Sequence, residues 1–574
     1  MLLLWYLWPF VVEGDRFPLG PDAPVYLWWA RLADLEGLSA VGSRPGVPAL
    51  SLVISGALGL SVVQVTAALE VVLGVGLGLA SFTVVRRAGL AGAALAGLLA
   101  GTFGVHLAAG YLANLAMAAA FVAAVAMLDR RTNRSAAIAG LVLAASGLAH
   151  PQFFLVGMVI LLAAAVLAWR TDRSETARIA GAVLGGGAVL GAGLLAVQVG
   201  PAPPDVDTSR DAFLRRAGLL SELRSAYLDR FVHRWTRYVQ WVSVPLAIVG
   251  FGSPDGTAGR VLRSWFVVTI AGVGVSLATG WLPADRFVTF GFVVPILAAL
   301  GVVRAWRWLR HRRVLAVAVT AAITIAMLAG SAIAWNRQEP FLSGEEVTAV
   351  RVATETIETL PNGTPLSFWV NEPDPSVSFL ATRAGNVIRA GVPTYRIRDV
   401  VVVVPPGGAQ DPPERRALTR LTFRDVHSAQ LESGRDATTF VLEPFDAIDA
   451  PAGAVVIGLP VRDVFAADPL EPLTPLGGTL ASVAILVVVG VAGFGWARIG
   501  IDEPISAAAA APAVGTGMLV LAAVALDAVG VAIGETPGAI AALALGGGGG
   551  YLALVLERRS RARPAPQVEE QPTE

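Results

Sequence analysis

The sequence predicts a polytopic α-helical membrane protein of about 13–14 transmembrane helices with a small extracytoplasmic α/β domain. Three observations predict it. Hydrophobic residues make up 55% of the 574-residue chain and charged residues only 15%. Apolar runs recur at about the 20-residue length that a helix needs to cross a bilayer. One long stretch, residues 336–475, is instead polar enough for water and switches to short strand and helix patterns.

The opening run "MLLLWYLWPFVV" has neither a basic leader nor an Ala-x-Ala cleavage site, so it reads as a first transmembrane helix, cut short at its start, and not as a signal peptide. Further spans are expected near 61–85, 90–108, 112–128, 135–150, 152–169, 179–199, 238–252, 264–281, 286–303, 314–335, 476–497, 513–533 and 537–556. Arginine orients them, because cytoplasmic loops retain positive charge. Arg86 and Arg87, then Arg130, Arg131 and Arg134, then Arg170, Arg173 and Arg178 fall in alternate loops. Arg260 and Arg263, the run "RAWRWLRHRR" from Arg304 to Arg313, Arg498, and Arg558 to Arg563 continue the alternation. One orientation satisfies all of them: a plasma-membrane protein with its N-terminus and tail in the cytoplasm and residues 336–475 outside.

Within that outer segment "GEEVTAVRVATETIETL" and "SVSFLATRAGNVI" read as helices, and "LSFWV", "VVVVVP", "TTFVLEP" and "AVVIGLP" as strands. The valine run lacks the alternation of a half-exposed strand, which predicts a central one covered on both faces. The last residues, "RRSRARPAPQVEEQPTE", are rich in charge and proline and are expected to be a disordered tail. The expected organisation is therefore a membrane domain over 1–335, the outer domain over 336–475, C-terminal spans over 476–556 and a tail over 557–574.

Composition excludes several kinds of chemistry. Net charge is zero, so no overall field favours nucleic acid, and nucleic acid is not expected as a partner. The chain has no cysteine, which removes disulfides, thiolate metal sites and thiol catalysis. All its basic charge is arginine, and with the load of Ala and Gly this suggests a GC-rich bacterial genome. No P-loop and no Gly-x-Gly-x-x-Gly turn between strand and helix is present. The run "LGGGGGY" lies inside the last expected span, where glycine serves close helix packing.

Polar groups beside a membrane are costly, so those near span ends carry information. Directly behind the first span, "EGDRFPLGPDAPVY" supplies Glu13, Asp15, Asp22 and Tyr26, with Trp28, Trp29 and Arg31 following. The ordinary reading is a solvated loop with an interfacial aromatic belt. Other outer turns add His106, Tyr111 and Asn114, then His150 in "GLAHPQF", then Asp285 and Arg286 in "WLPADRF". Helices ending at one depth would bring such residues toward a common cavity, although His106 reads better as a satisfied helix-end residue. In the loop 200–237, Ala217, Leu220, Leu223, Tyr227 and Phe231 recur at helical spacing among Arg215, Arg216, Arg224, Arg230, Arg234 and Arg237. This predicts a basic amphipathic helix on the outer leaflet, facing either ordinary anionic headgroups or a specific phosphate.

An acidic first outer loop, many spans with polar outer turns and a late soluble domain together resemble the GT-C superfamily of integral-membrane glycosyltransferases. Glu13-Gly14-Asp15 has the position and spacing of that superfamily's first acidic motif. "GPDAPVYLWWARL" is similar to its Asp-before-aromatic pattern and points to Asp22, so Asp15 and Asp22 both stand as candidates. The resemblance implies transfer of a sugar from a polyprenyl-phosphate carrier to an envelope glycan, lipid or protein. In such a reaction Asp15 or Asp22 would be the base, and Arg286, Arg234 and Arg237 would hold the phosphate. Tyr26 and His150 would line the substrate site, and Glu13 and Asp15 would supply oxygen to a divalent cation, Mg or Mn. Two other readings stay open: a lipid or solute transporter, for which Glu70 and Asp527 are acids within apolar spans, and a non-catalytic envelope assembly protein.

Overall fold

The computed structural model describes residues 1–20, 23–41, 44–104, 111–197, 242–253, 255–279, 289–336 and 473–562, four strands between 366 and 460, and residues 224, 228, 231, 232, 287 and 340. In a bilayer each backbone N–H and C=O must be satisfied within its own segment, so the apolar runs become helices. They are α1 (Leu2–Trp8), α2 (Ala23–Glu36), α3 (Gly46–Leu58), α4 (Val62–Val84), α5 (Leu90–Phe103), α6 (Leu112–Leu128), α7 (Asn133–Ala149), α8 (Pro151–Trp169) and α9 (Arg173–Ala196). Further along the chain follow α10 (Ser243–Gly250), α11 (Gly256–Thr279), α12 (Val293–Leu309) and α13 (Arg313–Trp335). Beyond the outer segment come α14 (Pro475–Gly500), α15 (Pro504–Asp527), α16 (Thr536–Leu543) and, through a π turn at Ala544–Gly548, α17 (Gly549–Ala562).

Among the described residues, eight helical segments are long and apolar enough to cross a membrane; α3, α5, α6, α7 and the helical segment Leu2–Glu13 are apolar but shorter. The protein is thus a multi-pass helical membrane protein. Side chains set the helix starts. Ser61 and Gln64 form a reciprocal cap on α4, Thr132 and Ser135 another on α7, and Thr474 accepts the Gly477 N–H at the start of α14.

The structure departs from the expected spans in several places: α11 begins at Gly256, ahead of the expected 264, so Arg260 and Arg263 lie in a helix and not in a loop, and α12 is shifted to 293–309 from the expected 286–303. Helices α2 and α3 occupy a stretch in which no span was expected. The second has only 13 residues, too few for a span by length, yet it lies buried against α2, α15 and α16. Helix α15 begins at Pro504, ahead of the expected 513, because Pro504 takes the first helical turn and Pro512 is accommodated inside the helix. Helix α17 continues to Ala562, so the first residues expected in the tail are helical.

Close approach of helices depends on glycine. A Cβ on Gly493 of α14 would strike the Ala511 carbonyl of α15, and one on Gly515 would strike the Val489 carbonyl in return. Gly250 and Gly301 stand in the same relation between α10 and α12. In the glycine-rich π turn the indole N–H of Trp496 donates to the Gly546 carbonyl at 2.6 Å, and a Cβ on Gly550 would enter the same ring. These are the contacts of a small-residue packing face.

Alternate turns meet on one side of the bundle through ion pairs: Arg86–Glu503 at 2.8 Å, Arg87–Asp129 at 3.0 Å and Arg130–Asp502 at 2.5 Å. Glu175, almost fully buried, receives the forked guanidinium of Arg260, with Nε at 2.7 Å from Oε1. The opposite ends of α4, α6 and α15 therefore share the other side, which also carries Tyr26, Asn114 and His150. The segment 336–475 contributes β1 (Leu366–Asn371), β2 (Ile397–Val404), β3 (Thr438–Val441) and β4 (Val455–Pro460) in the order β3-β1-β2-β4. Strand β1 runs parallel to β2 and β3, and β4 runs antiparallel to β2. The valine run sits in β2 with a strand on each side, as expected of a central strand. The helices expected at 344–360 and 376–388 lie outside the described residues.

Replacing Gly493 by valine should lower the thermal midpoint of the purified protein, with a cost of about 1–3 kcal/mol for overpacking. Gly185→Ala, where a Cβ meets nothing within 4 Å, should leave it within error. Equal effects of the two would show that the glycine contacts do not set the α14–α15 distance.

Candidate functional site

The acidic stretch is shaped by the way α1 ends. Residues Pro9–Glu13 widen into a π turn, and Gly14 then adopts a left-handed φ of 79°, which lets the Asp15 N–H return to the Pro9 carbonyl at 3.0 Å. Glu13 is left exposed, with one carboxylate oxygen accepting from the Trp8 indole at 3.1 Å. Asp15 is half-buried. The chain then turns inward, and Phe17, Pro18, Leu19 and Gly20 are buried.

Leu19 meets a buried acid there. Glu70 has no exposed surface, and its Oε1 accepts the Leu19 N–H at 2.9 Å. It lies eight residues into α4, roughly 12 Å along the helix axis from Val62. Its second oxygen has no hydrogen-bond partner among the described residues, and Asp15 lies close enough for its charge to act on Glu70. Glu70 is the one acid of the apolar span α4, as the sequence predicts, and it has a partner: it anchors the acidic loop. Asp527 likewise has a partner, at the end of its span. It is the last residue of α15, and its two oxygens accept the Leu38 N–H at 3.3 and 3.1 Å. That amide is presented by the left-handed Gly37 at the end of α2, and Asp34 shares with Asp527 a cleft of about 390 Å³.

Both ends of the segment 336–475 join the same loop. Leu19 forms an antiparallel bridge with Pro340, and the Arg16 carbonyl accepts the Leu473 N–H at 2.7 Å. The first contact is prepared by α13, whose Trp335 indole donates to the Trp5 carbonyl at 3.0 Å and packs edge-on against Tyr6. The acidic stretch thus lies at the neck through which residues 341–472 leave and return.

A second group joins the other turns on this side. Tyr26, buried on α2, accepts the Ala113 N–H at 3.2 Å, an amide of the first turn of α6 that has no partner within its own helix. Next to it, the Asn114 amide donates to the Thr289 hydroxyl at 3.4 Å. His150 closes α7 and opens α8, its Nδ1 accepting the Phe153 N–H at 3.5 Å and its ring lying 4.3 Å from that of Phe153. Phe153 in turn meets Phe290 edge-on at 5.3 Å. Tyr26, Asn114 and His150, named from three separate turns, thus come together in one row that runs through Thr289 and Phe290.

Asp22, Arg234, Arg237 and Arg286 lie outside the described residues, as do His106 and Asp285. Of the expected amphipathic helix, Arg224, Leu228, Phe231 and Val232 are described; all four are helical, and Arg224 donates to the Leu277 carbonyl at 3.0 Å. Glu13 and Asp15 offer oxygen donors of the kind Mg or Mn takes. Among the described residues no group of three or more His, Asp or Glu converges as a cation site. Sequence reasoning did not connect Glu70 with Leu19 or Asn114 with Thr289. A fully apolar helix face carrying one acid was the available signal for the first, and nothing marked the second.

The fold and these contacts define a multi-pass helical membrane protein that gathers acids and polar turns at the end of its bundle opposite the paired arginines. No protein-family model matches the sequence, and a comparison with curated proteins found no match. Among solved structures the chain is similar to the apo oligosaccharyltransferase of Archaeoglobus fulgidus, with 11% identity and a TM-score of 0.44, over 70% of this chain and 69% of that one.

The cysteine-free chain permits a direct check of the neck. Leu19→Cys with Pro340→Cys should cross-link on mild oxidation, since bridged strand partners lie within disulfide reach; no cross-link would contradict the bridge. Glu70→Ala should destabilise by about 1–3 kcal/mol through the orphaned Leu19 amide, and Glu70→Gln by less, because it keeps the acceptor.

Proposed function

We propose that the protein is a GT-C-like membrane glycosyltransferase, moving a sugar from a polyprenyl-phosphate carrier to an envelope glycan, lipid or protein on the outer face of the plasma membrane. The observation that supports this reading best is the placement of the acidic stretch, pinned by Glu70 below and by both ends of the outer segment. A carboxylate so held is presented to a lipid-borne substrate at the membrane surface and to an acceptor entering from water.

In the reaction we infer, Asp15 or Asp22 accepts the proton of an acceptor hydroxyl as its oxygen bonds to the anomeric carbon. The bond from that carbon to the carrier phosphate breaks, and the electron pair leaves on the phosphate oxygen. General-base help of this kind contributes roughly 10²–10⁴-fold. Arg286, Arg234 and Arg237 would hold the phosphate through their planar forks. Glu13 and Asp15 would ligate a Mg or Mn ion, whose charge would offset that of the departing phosphate. Tyr26 and His150, already in the row of joined turns, would orient the sugar. In this orientation the paired arginines face the cytoplasm, as do the N-terminus and the tail.

The test compares envelope glycolipids and glycopolymers in a deletion strain, complemented with wild type, Asp15→Asn, Asp22→Asn or both. A sugar lost on deletion and restored by wild type, with at least one single variant reduced 10²-fold or more, is the expected result. Unchanged glycans, or full rescue by the double variant, would overturn it and favour transport or a non-catalytic assembly role.

A further inference from the structure

The arginine-rich side of the bundle has two kinds of turn. In most of them arginine meets a carboxylate: Arg86 with Glu503, Arg87 with Asp129, Arg130 with Asp502, and both Arg131 and Arg260 with Glu175. The turn between α12 and α13 differs. From Arg304 to Arg313 it contains no acid. Arg304 donates to the Val249 carbonyl at 3.4 Å and stacks on Trp308, but Arg307, Arg310, Arg312 and Arg313 have no side-chain hydrogen bond or ion pair with any described residue. Four uncompensated guanidiniums thus stand on a side where neighbouring ones are neutralised.

Their surroundings favour a lipid. Arg310, Arg312 and Arg313 border an open groove of about 790 Å³ that continues along Val314, Leu315 and Ala318 of α13. Val314 is 85% exposed, and α13 is the least covered of the span-length helices, with 17% of its apolar window buried. The groove is charged at one end and apolar along a membrane-facing helix at the other. Exposed Trp306 and Trp308 mark the interfacial level. Guanidinium forks match phosphate oxygens, and the aliphatic wall matches an acyl chain.

We propose that this turn and the first turns of α13 bind an anionic glycerophospholipid of the surrounding leaflet, its phosphate among Arg310, Arg312 and Arg313 and an acyl chain along Val314, Leu315 and Ala318. This site is independent of the sugar-transfer reading and lies at the opposite end of the bundle.

The full-length protein in mild detergent is titrated with phosphatidylglycerol or phosphatidylcholine and examined by native mass spectrometry. Wild type should retain phosphatidylglycerol preferentially. Arg310→Gln/Arg312→Gln/Arg313→Gln should lower that retention about tenfold or more, with phosphatidylcholine retention and the thermal midpoint in phosphatidylcholine unchanged. Equal phosphatidylglycerol retention by the triple variant would overturn the proposal. So would displacement of the lipid by millimolar inorganic phosphate, which would assign the arginines to a free anion. A photoactivatable phosphatidylglycerol on the wild-type protein gives a second readout: labelling should map to residues 310–318, and labelling confined to other peptides would refute the site.

Discussion

A buried amide cannot be left without an acceptor, and in this protein the requirement is met across long distances in sequence. The Leu19 N–H, carried into the bundle by its loop, is taken by Glu70. Removing water from that amide without a partner would cost on the order of 1–3 kcal/mol. The single bond therefore holds the acidic stretch against α4, and the bridge to Pro340 and the hydrogen bond to Leu473 build on a loop already fixed in depth. Asp527 treats the Leu38 amide in the same way.

Around these polar fixings the bundle is held by shape. Gly493 and Gly515 let α14 and α15 touch backbone to backbone, and buried apolar side chains fill the remaining space. Among the described residues, the ion pairs lie at one end of the bundle. One end carries arginine–carboxylate pairs that tie turn to turn; the other carries the loop anchors and the row from Tyr26 to His150. Such segregation follows from the cost of an unpaired charge in hydrocarbon.

Much of the architecture was legible from run length. Helices α4, α8 and α9 announce themselves as long apolar stretches with an arginine turn at one end, and the valines of β2 announce a central strand. Short α3 was illegible because 13 residues do not meet a spanning criterion, and α15 was misplaced because Pro512 resembles a boundary. For the site, the meeting of the turns that carry Tyr26, Asn114 and His150 was legible, since helices that end together bring their ends together. The partner of Glu70 was not, because a backbone amide 51 positions away leaves no trace in residue identity. The same applies to Asp527 and Leu38, which lie 489 positions apart.

The closed neck has a bearing on the order of events during synthesis. The acidic stretch is among the first parts of the chain to be made, yet its contact with Leu473 waits until nearly all of the protein has followed, and Leu38 waits longer still for Asp527. Until then the loop is held by contacts made earlier in the chain, among them Glu70 and the bridge to Pro340. A chain stopped before the last helices would carry every acid of the opening stretch and still lack its assembled mouth, so completion of the C-terminal spans acts as a built-in check on the N-terminal site.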